Sequence, residues 1–188
     1  MPLFPPPGVI RGDVVVAADG TLQAWSFDPL MSYQTGQTIG TGVVTLTRIA
    51  IPRTTLVSTI TIVVTGAGSA AGTAANCFVG LYDVTGATLL GVSATQAANW
   101  STAGVKAIPL VTPVTVSGGP GAAVLGAMLI GTQYTTTSCT FAGSSASATV
   151  VSNAGFGFRC GIGPSAQTSL PASVTPVPQV RAYFMGLS

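Results

Sequence analysis

The sequence contains no histidine and no glutamate, and its 188 residues include only six basic and four acidic side chains. Without histidine, a Ser-His-Asp or Cys-His site has no general base. A carboxylate pair for glycoside hydrolysis would have to come from Asp13, Asp19, Asp28 and Asp83. Three of these lie near turns in the first 28 residues. Asp83 precedes Val84-Thr85-Gly86, where an aspartate is expected to bind local backbone N–H groups. No catalytic residues are therefore assigned, and the chain is not expected to be an enzyme. Metal ligands are equally scarce, because Cys77, Cys139 and Cys160 form no CxxC spacing. The glycines at 66, 68 and 72 follow no nucleotide-binding pattern and open no helix, so neither a metal nor a cofactor is expected.

Other absences narrow the class further. The net charge of +2 comes from scattered side chains, too few for the basic footprint of a nucleic-acid-binding protein. No apolar run approaches the ~20 residues of a membrane helix. The longest, Ala122 to Gly131, is half that and carries two glycines. The opening MPLFPPPG has neither the basic nor the apolar region of a secretory signal, so reduced thiols and synthesis in a cytoplasm are expected. Buried free thiols are the simplest reading of three cysteines, although one disulfide with one free thiol also fits the count. Charged residues are 5% of the chain, where a globular domain has about 25%. A surface so poor in charge suits a subunit covered by neighbours, or else a monomer surfaced with Thr, Ser, Gly, Asn and Gln.

What is present is strand. Thr59 to Thr65 alternates Ile60, Ile62 and Val64 against Thr59, Thr61, Val63 and Thr65, the period of a half-buried strand. A small-residue loop leads to a second apolar strand, Cys77 to Tyr82, then a turn at Thr85-Gly86 and a third strand from Thr88. Upstream, Thr41 to Ile51 alternates, with Val44, Leu46 and Ile49 as expected core. Downstream, Val105 to Leu110 is interrupted by Pro109, which predicts an edge or a bulge. The glycine-proline run 117–121 is a turn, and Ala122 to Gly131, apolar on both faces, is predicted to be a central strand. Shorter strands are expected at Thr140-Phe141, at 149–151 and around Phe156 to Phe158. The proline-bearing segment from Gly163 to Gln179 reads as an extended loop. Val180 to Met185 reads as the closing strand, with Val180, Ala182 and Phe184 inward.

The proline-rich residues 1–12 are expected to be extended, either as a frayed tail or as an arm on a neighbouring subunit. Residues 13–27 suggest a hairpin around Asp19-Gly20. These features predict an all-β chain: an arm with a short hairpin over residues 1–30, and a jelly-roll-like antiparallel β-sandwich over 31–188. Aromatic side chains supply the only candidate ligand contacts: Trp100, Tyr82 and Tyr134. Trp100 sits in the polar stretch Ala97-Ala98-Asn99-Trp100-Ser101-Thr102, which would suit an exposed sugar-stacking ring. The alternative is that it packs against one end of the core.

The stretch from about residue 40 to 130 resembles a domain found in virion proteins of tailed phages that infect actinobacteria. The resemblance rests on Val57 to Thr65, Asn76-Cys77-Phe78-Val79-Gly80-Leu81-Tyr82-Asp83, Thr85 to Leu90, Gln96-Ala97-Ala98-Asn99-Trp100, Gly104-Val105-Lys106 and Pro109-Leu110. Its most specific part is Gly80-Leu81-Tyr82-Asp83 followed by the Trp100 turn, and the proline-rich arm has no counterpart in it. The resemblance implies a β-sandwich component of a virion, often trimeric, either a minor tail or receptor-binding protein or a capsid decoration protein. The expected partners are further copies of the chain in a homotrimer, other virion proteins and, in the receptor-binding alternative, a host surface glycan.

Overall fold

The computed structural model describes residues 22–27, 36–68, 76–130, 139–145, 159–179 and 181–188. These residues are all-β, 52% of them in strands and 3% in helix, built mainly as two antiparallel sheets. The first sheet is organised on its longest members, β4 (Thr55–Gly66) and β7 (Gly104–Val116). One side of β4 pairs with β7 over most of its length. The other side carries two short strands end to end: β14 (Gly186–Leu187) at Ile60 and Thr61, and β9 (Thr140–Phe141) at Val64 and Gly66. Beyond these lie β1 (Ala24–Trp25), paired with β14, and β2 (Gln37–Thr38), paired with β9. The second sheet runs in the order β12 (Val177–Pro178), β11 (Cys160–Ile162), β3 (Thr45–Ala50), β8 (Ala123–Leu129), β5 (Phe78–Asp83) and β6 (Leu89–Val92). A separate ladder joins β10 (Gly143–Ser145) to β13 (Arg181–Tyr183).

Side-chain alternation decides which rows are buried. In β4, Ile60, Ile62 and Val64 are buried while Thr59, Thr61, Val63 and Thr65 face outward, as the period of two requires. They meet Ile49, Ile51, Val79, Leu81, Val124 and Met128 from the other sheet in one core between the sheets. Each such aliphatic contributes roughly 1.5–3 kcal/mol on burial.

A second core lies on the far side of the second sheet. Val44, Leu46, Tyr82, Leu125, Ala127 and Leu129 project there and are covered by Leu170 and Val174 of the chain's own loop. This explains why β8 is apolar on both faces: it is central in its sheet, between β3 and β5, and both of its faces are covered. It also divides the expected core of Thr41 to Ile51, because Val44 and Leu46 belong to the outer cluster and Ile49 to the inner one.

The irregularity at Pro109 is present. Val57 pairs with Val114 and Thr59 with Pro109, so β7 is the longer strand between those two pairs. Within that stretch Leu110 bridges to Ser93, tying the first sheet to the second just beyond β6. On β4, the N–H groups of Ser58 and Thr59 both donate to the Ser188 carbonyl, each at 2.8 Å, which is the geometry of a β-bulge. The turn after β7 places Gly119 and Gly121 at φ of 145° and 79°, values that favour glycine.

The closing strand departs from the sequence reading. Tyr183, Met185 and Leu187 enter the inner core, not the row of Val180, Ala182 and Phe184. Phe184 is also buried, but it makes an edge-on ring contact with Phe27 at 6.0 Å. Ala182 is only half-buried, and Val180 lies outside the described residues. Both rows of this segment are rich in apolar residues, so alternation alone does not select one. The strand that finally closes the first sheet is Gly186–Leu187. It pairs with Ala24–Trp25, so the downstream half of the expected hairpin belongs to the sandwich. The upstream half, the proline-rich arm and the strands expected at 149–151 and 156–158 fall outside the described residues.

Candidate functional site

Two of the three aromatic candidates, Trp100 and Tyr82, are buried. Trp100 ends the helical turn Ala97–Trp100 and is fully buried. Its ring packs edge-on against Phe141 at 5.0 Å, and Phe141 packs in turn on Tyr183 at 6.5 Å. Such contacts are worth roughly 0.5–1.5 kcal/mol beyond burial. The polar neighbours of Trp100 in sequence hold its turn rather than expose it. Gln96 accepts through its backbone carbonyl from the N–H groups of Asn99 and Trp100, at 3.1 and 3.3 Å. Its side chain accepts from Asn99 Nδ2 at 2.6 Å and donates to the Ala94 carbonyl at 2.8 Å. Among the described residues the Trp100 Nε1 has no hydrogen-bond partner.

Tyr82 is also fully buried, in the outer core, where its hydroxyl donates to the Pro171 carbonyl at 2.7 Å. Burial pushes its hydroxyl well above the usual tyrosine range. The contact pins the loop over the second sheet and leaves no ring face for a sugar. At Trp100 and Tyr82, where ligand contact was expected, both rings are buried and hold the fold together. Tyr134 lies outside the described residues.

Asp83 is engaged by its own turn. Its Oδ1 accepts from the Thr85 N–H at 2.7 Å, from the Thr85 hydroxyl, and from the Ala87 N–H at 3.4 Å. Slight burial acts to raise its pKa, and hydrogen bonds from Thr85, Thr88 and Ala87 outweigh that and hold the carboxyl below its ordinary value. A carboxylate so held is ionised and its Oδ1 is already occupied, which suits a turn and not an acid catalyst. Cys77, Cys139 and Cys160 are buried thiols, and none is disulfide-bonded. Burial, with Cys77 nearby, pushes the Cys139 thiol up to about 12, and burial raises that of Cys160 despite Arg159. Neither is a nucleophile at neutral pH. Among the described residues no three His, Cys, Asp or Glu side chains come together as metal ligands.

A small cavity of about 150 Å³ opens near the ends of β2, β3 and β11, with Thr38, Thr45, Gln179, Arg181 and Tyr183 in its lining. The Tyr183 hydroxyl is already committed to the Thr38 carbonyl at 2.8 Å. The volume is about half the lower bound of an ordinary small-molecule site.

The surface that stands out is the outer face of β4 and β7. Leu56, Val105 and Val111 are 58%, 70% and 69% exposed. Between them the outward row runs through Thr59, Thr61, Val63, Ala107, Pro109 and Thr115. Lys106 pairs with Ile62 of the buried row and turns its ammonium to the Thr102 hydroxyl at 2.7 Å, so this face carries no charge of its own. Sequence reading did not single it out, because threonine and valine in alternation look the same on a wet face and on a covered one. Ser93 and Gln96 were missed for a related reason: each is buried as a polar node, and neither differs in sequence from a surface residue.

No protein-family model matches the chain, and no curated protein sequence matches it. The fold therefore defines the class, an all-β sandwich, and function is argued from its own residues.

Proposed function

We propose that this chain is a structural subunit of a tailed-phage particle, either a minor tail protein or a capsid decoration protein. It acts by contact, as a homotrimer held to other virion proteins through its N-terminal segment, and not by catalysis. The observation that carries this reading is the order of the strands. One sheet contains the succession β1-β14-β4-β7 and the other β3-β8-β5-β6, all antiparallel. That interleaving supports reading the sandwich as jelly-roll-like, an architecture widely used in viral capsid proteins, with β9 to β13 read as an insertion before the last strand. The charge-poor composition supports the same reading, since surfaces buried between subunits are depleted in charge.

The reading is tested on intact particles. An antibody against the chain, visualised by electron microscopy, should mark tails or heads at regular positions. Light scattering of the purified chain should approach three times the chain mass as its concentration is raised. Particles that never carry the label, or a chain that turns over a substrate as a monomer, would overturn it.

A further inference from the structure

The two sheets treat their outer faces differently. The second sheet projects Val44, Leu46, Tyr82, Leu125, Ala127 and Leu129 outward, and the chain covers them with Leu170 and Val174. The first sheet leaves Leu56, Val105 and Val111 well exposed. We infer that the outer face of β4 and β7 is the surface on which a second copy of this chain docks. The inference rests on the reading of a self-associating subunit and names its contact.

Charge points to the occupant. A partner's ionic group placed on this face would lose water and find no counter-charge, which costs several kcal/mol. An ordinary protein surface, about 25% charged, brings such groups with it. Another copy of a chain with 5% charge does not. Among the described residues, charge adjoins the face at Lys106, tied to Thr102, and at the exposed Arg53, two residues before β4.

Strand addition along the edge of β7 is disfavoured, because Pro109 and Pro113 lack N–H donors, Lys106 adds charge, and the register is broken between the pairs at Val57 and Thr59. Contact is therefore through the face. Strands of 12 and 13 residues present a strip about 40 Å long and 10 Å wide, roughly 400 Å² per copy. Two such strips fall short of the 1,200–2,000 Å² typical of a tight interface. Association through this face alone is accordingly weak and concentration-dependent, and it strengthens where several contacts act together in an assembly.

The test is sedimentation of the full-length chain over a wide concentration range. The wild type should associate with a dissociation constant in the micromolar range or weaker. Leu56→Lys and Val111→Lys should each weaken association at least tenfold, whereas Ser165→Lys, on an exposed loop elsewhere, should not. Circular dichroism and chemical denaturation confirm folding, and Val105→Thr, nearly isosteric and uncharged, gives a milder loss should a lysine variant fail to fold. A benzophenone side chain at position 105 in a mixture of ¹⁴N and ¹⁵N chains identifies the occupant. Mixed-isotope cross-links support a second copy, and cross-links confined to one chain overturn it. A wild type that stays monomeric throughout overturns both this inference and the self-associating reading. Association that ignores all three face substitutions overturns this inference alone.

Discussion

Replacing Tyr82 by phenylalanine separates the two roles that a buried tyrosine can have. The ring fills the outer core and should keep its packing, since only the hydroxyl is removed. What is lost is the 2.7 Å hydrogen bond to the Pro171 carbonyl, which leaves that acceptor beneath the covering loop without its donor. The cost at neutral pH should be about 1–3 kcal/mol, the usual penalty for orphaning a buried polar group. The pH dependence carries the sharper test. Burial raises the Tyr82 pKa in the folded chain above its unfolded value of about 10. Protonated Tyr82 therefore stabilises the fold fully below about pH 10, and this contribution is lost as pH rises toward the folded pKa. The loss runs at about 1.4 kcal/mol per pH unit. Tyr82→Phe lacks this term, so the stability gap between the two chains should shrink by about 1.4 kcal/mol by about pH 11. The buried thiols and Tyr183, raised in the same direction, affect both chains alike and cancel in the difference. Urea denaturation of both chains at neutral pH and at intervals through the alkaline range measures it. Equal stability at neutral pH, or a gap that stays constant into alkali, would refute the account of Tyr82 as a neutral buried anchor.

Other substitutions test other parts of the fold. Trp100→Ala should destabilise by roughly 3–5 kcal/mol, because a fully buried ring and its contact with Phe141 are removed; the native Trp100 should also be shielded from acrylamide quenching, and strong quenching of two equivalent tryptophans would contradict its burial. All three thiols should resist Ellman's reagent at mildly alkaline pH while the chain is folded and react together in denaturant; rapid labelling of native Cys139 would be inconsistent with its burial and raised pKa. Gly118→Ala should cost more than about 2 kcal/mol, since a methyl there overlaps the backbone of Arg53, whereas the neighbouring exposed Ser117→Ala should be close to neutral by chemical denaturation.

Local pattern and distant packing divided what could be read from the sequence. The alternation of Ile60, Ile62 and Val64 with threonines, the proline irregularity at Pro109, and the doubly apolar run of β8 are local signals, and each maps to a local structural fact. The winding of the two sheets depends on which strands meet, and sequence spacing could only suggest it. The covering role of the 163–179 loop was not visible, because Leu170 and Val174 are isolated apolar residues among prolines and serines. They become a core only when laid on Tyr82 and Leu125. Trp100 shows the same limit at the candidate site. Its chain neighbours are polar, but its environment is set by Phe141, which arrives from another strand.

The outward row of β4 bears on how such a sandwich assembles. Threonine has the branched shape that packs on a pleated face and a hydroxyl that water can satisfy. A row of Thr59, Thr61 and Thr65 with valine between them is therefore acceptable when wet and inexpensive to cover. An all-leucine row would make each contact stronger, but it would leave the free chain prone to indiscriminate aggregation. A row of lysines would keep the chain soluble and forbid close contact with its own copies. The mixture found here fits the proposed subunit on both counts. A single chain can remain in solution, each contact made through this face is weak, and several weak contacts in a closed assembly add to a stable one.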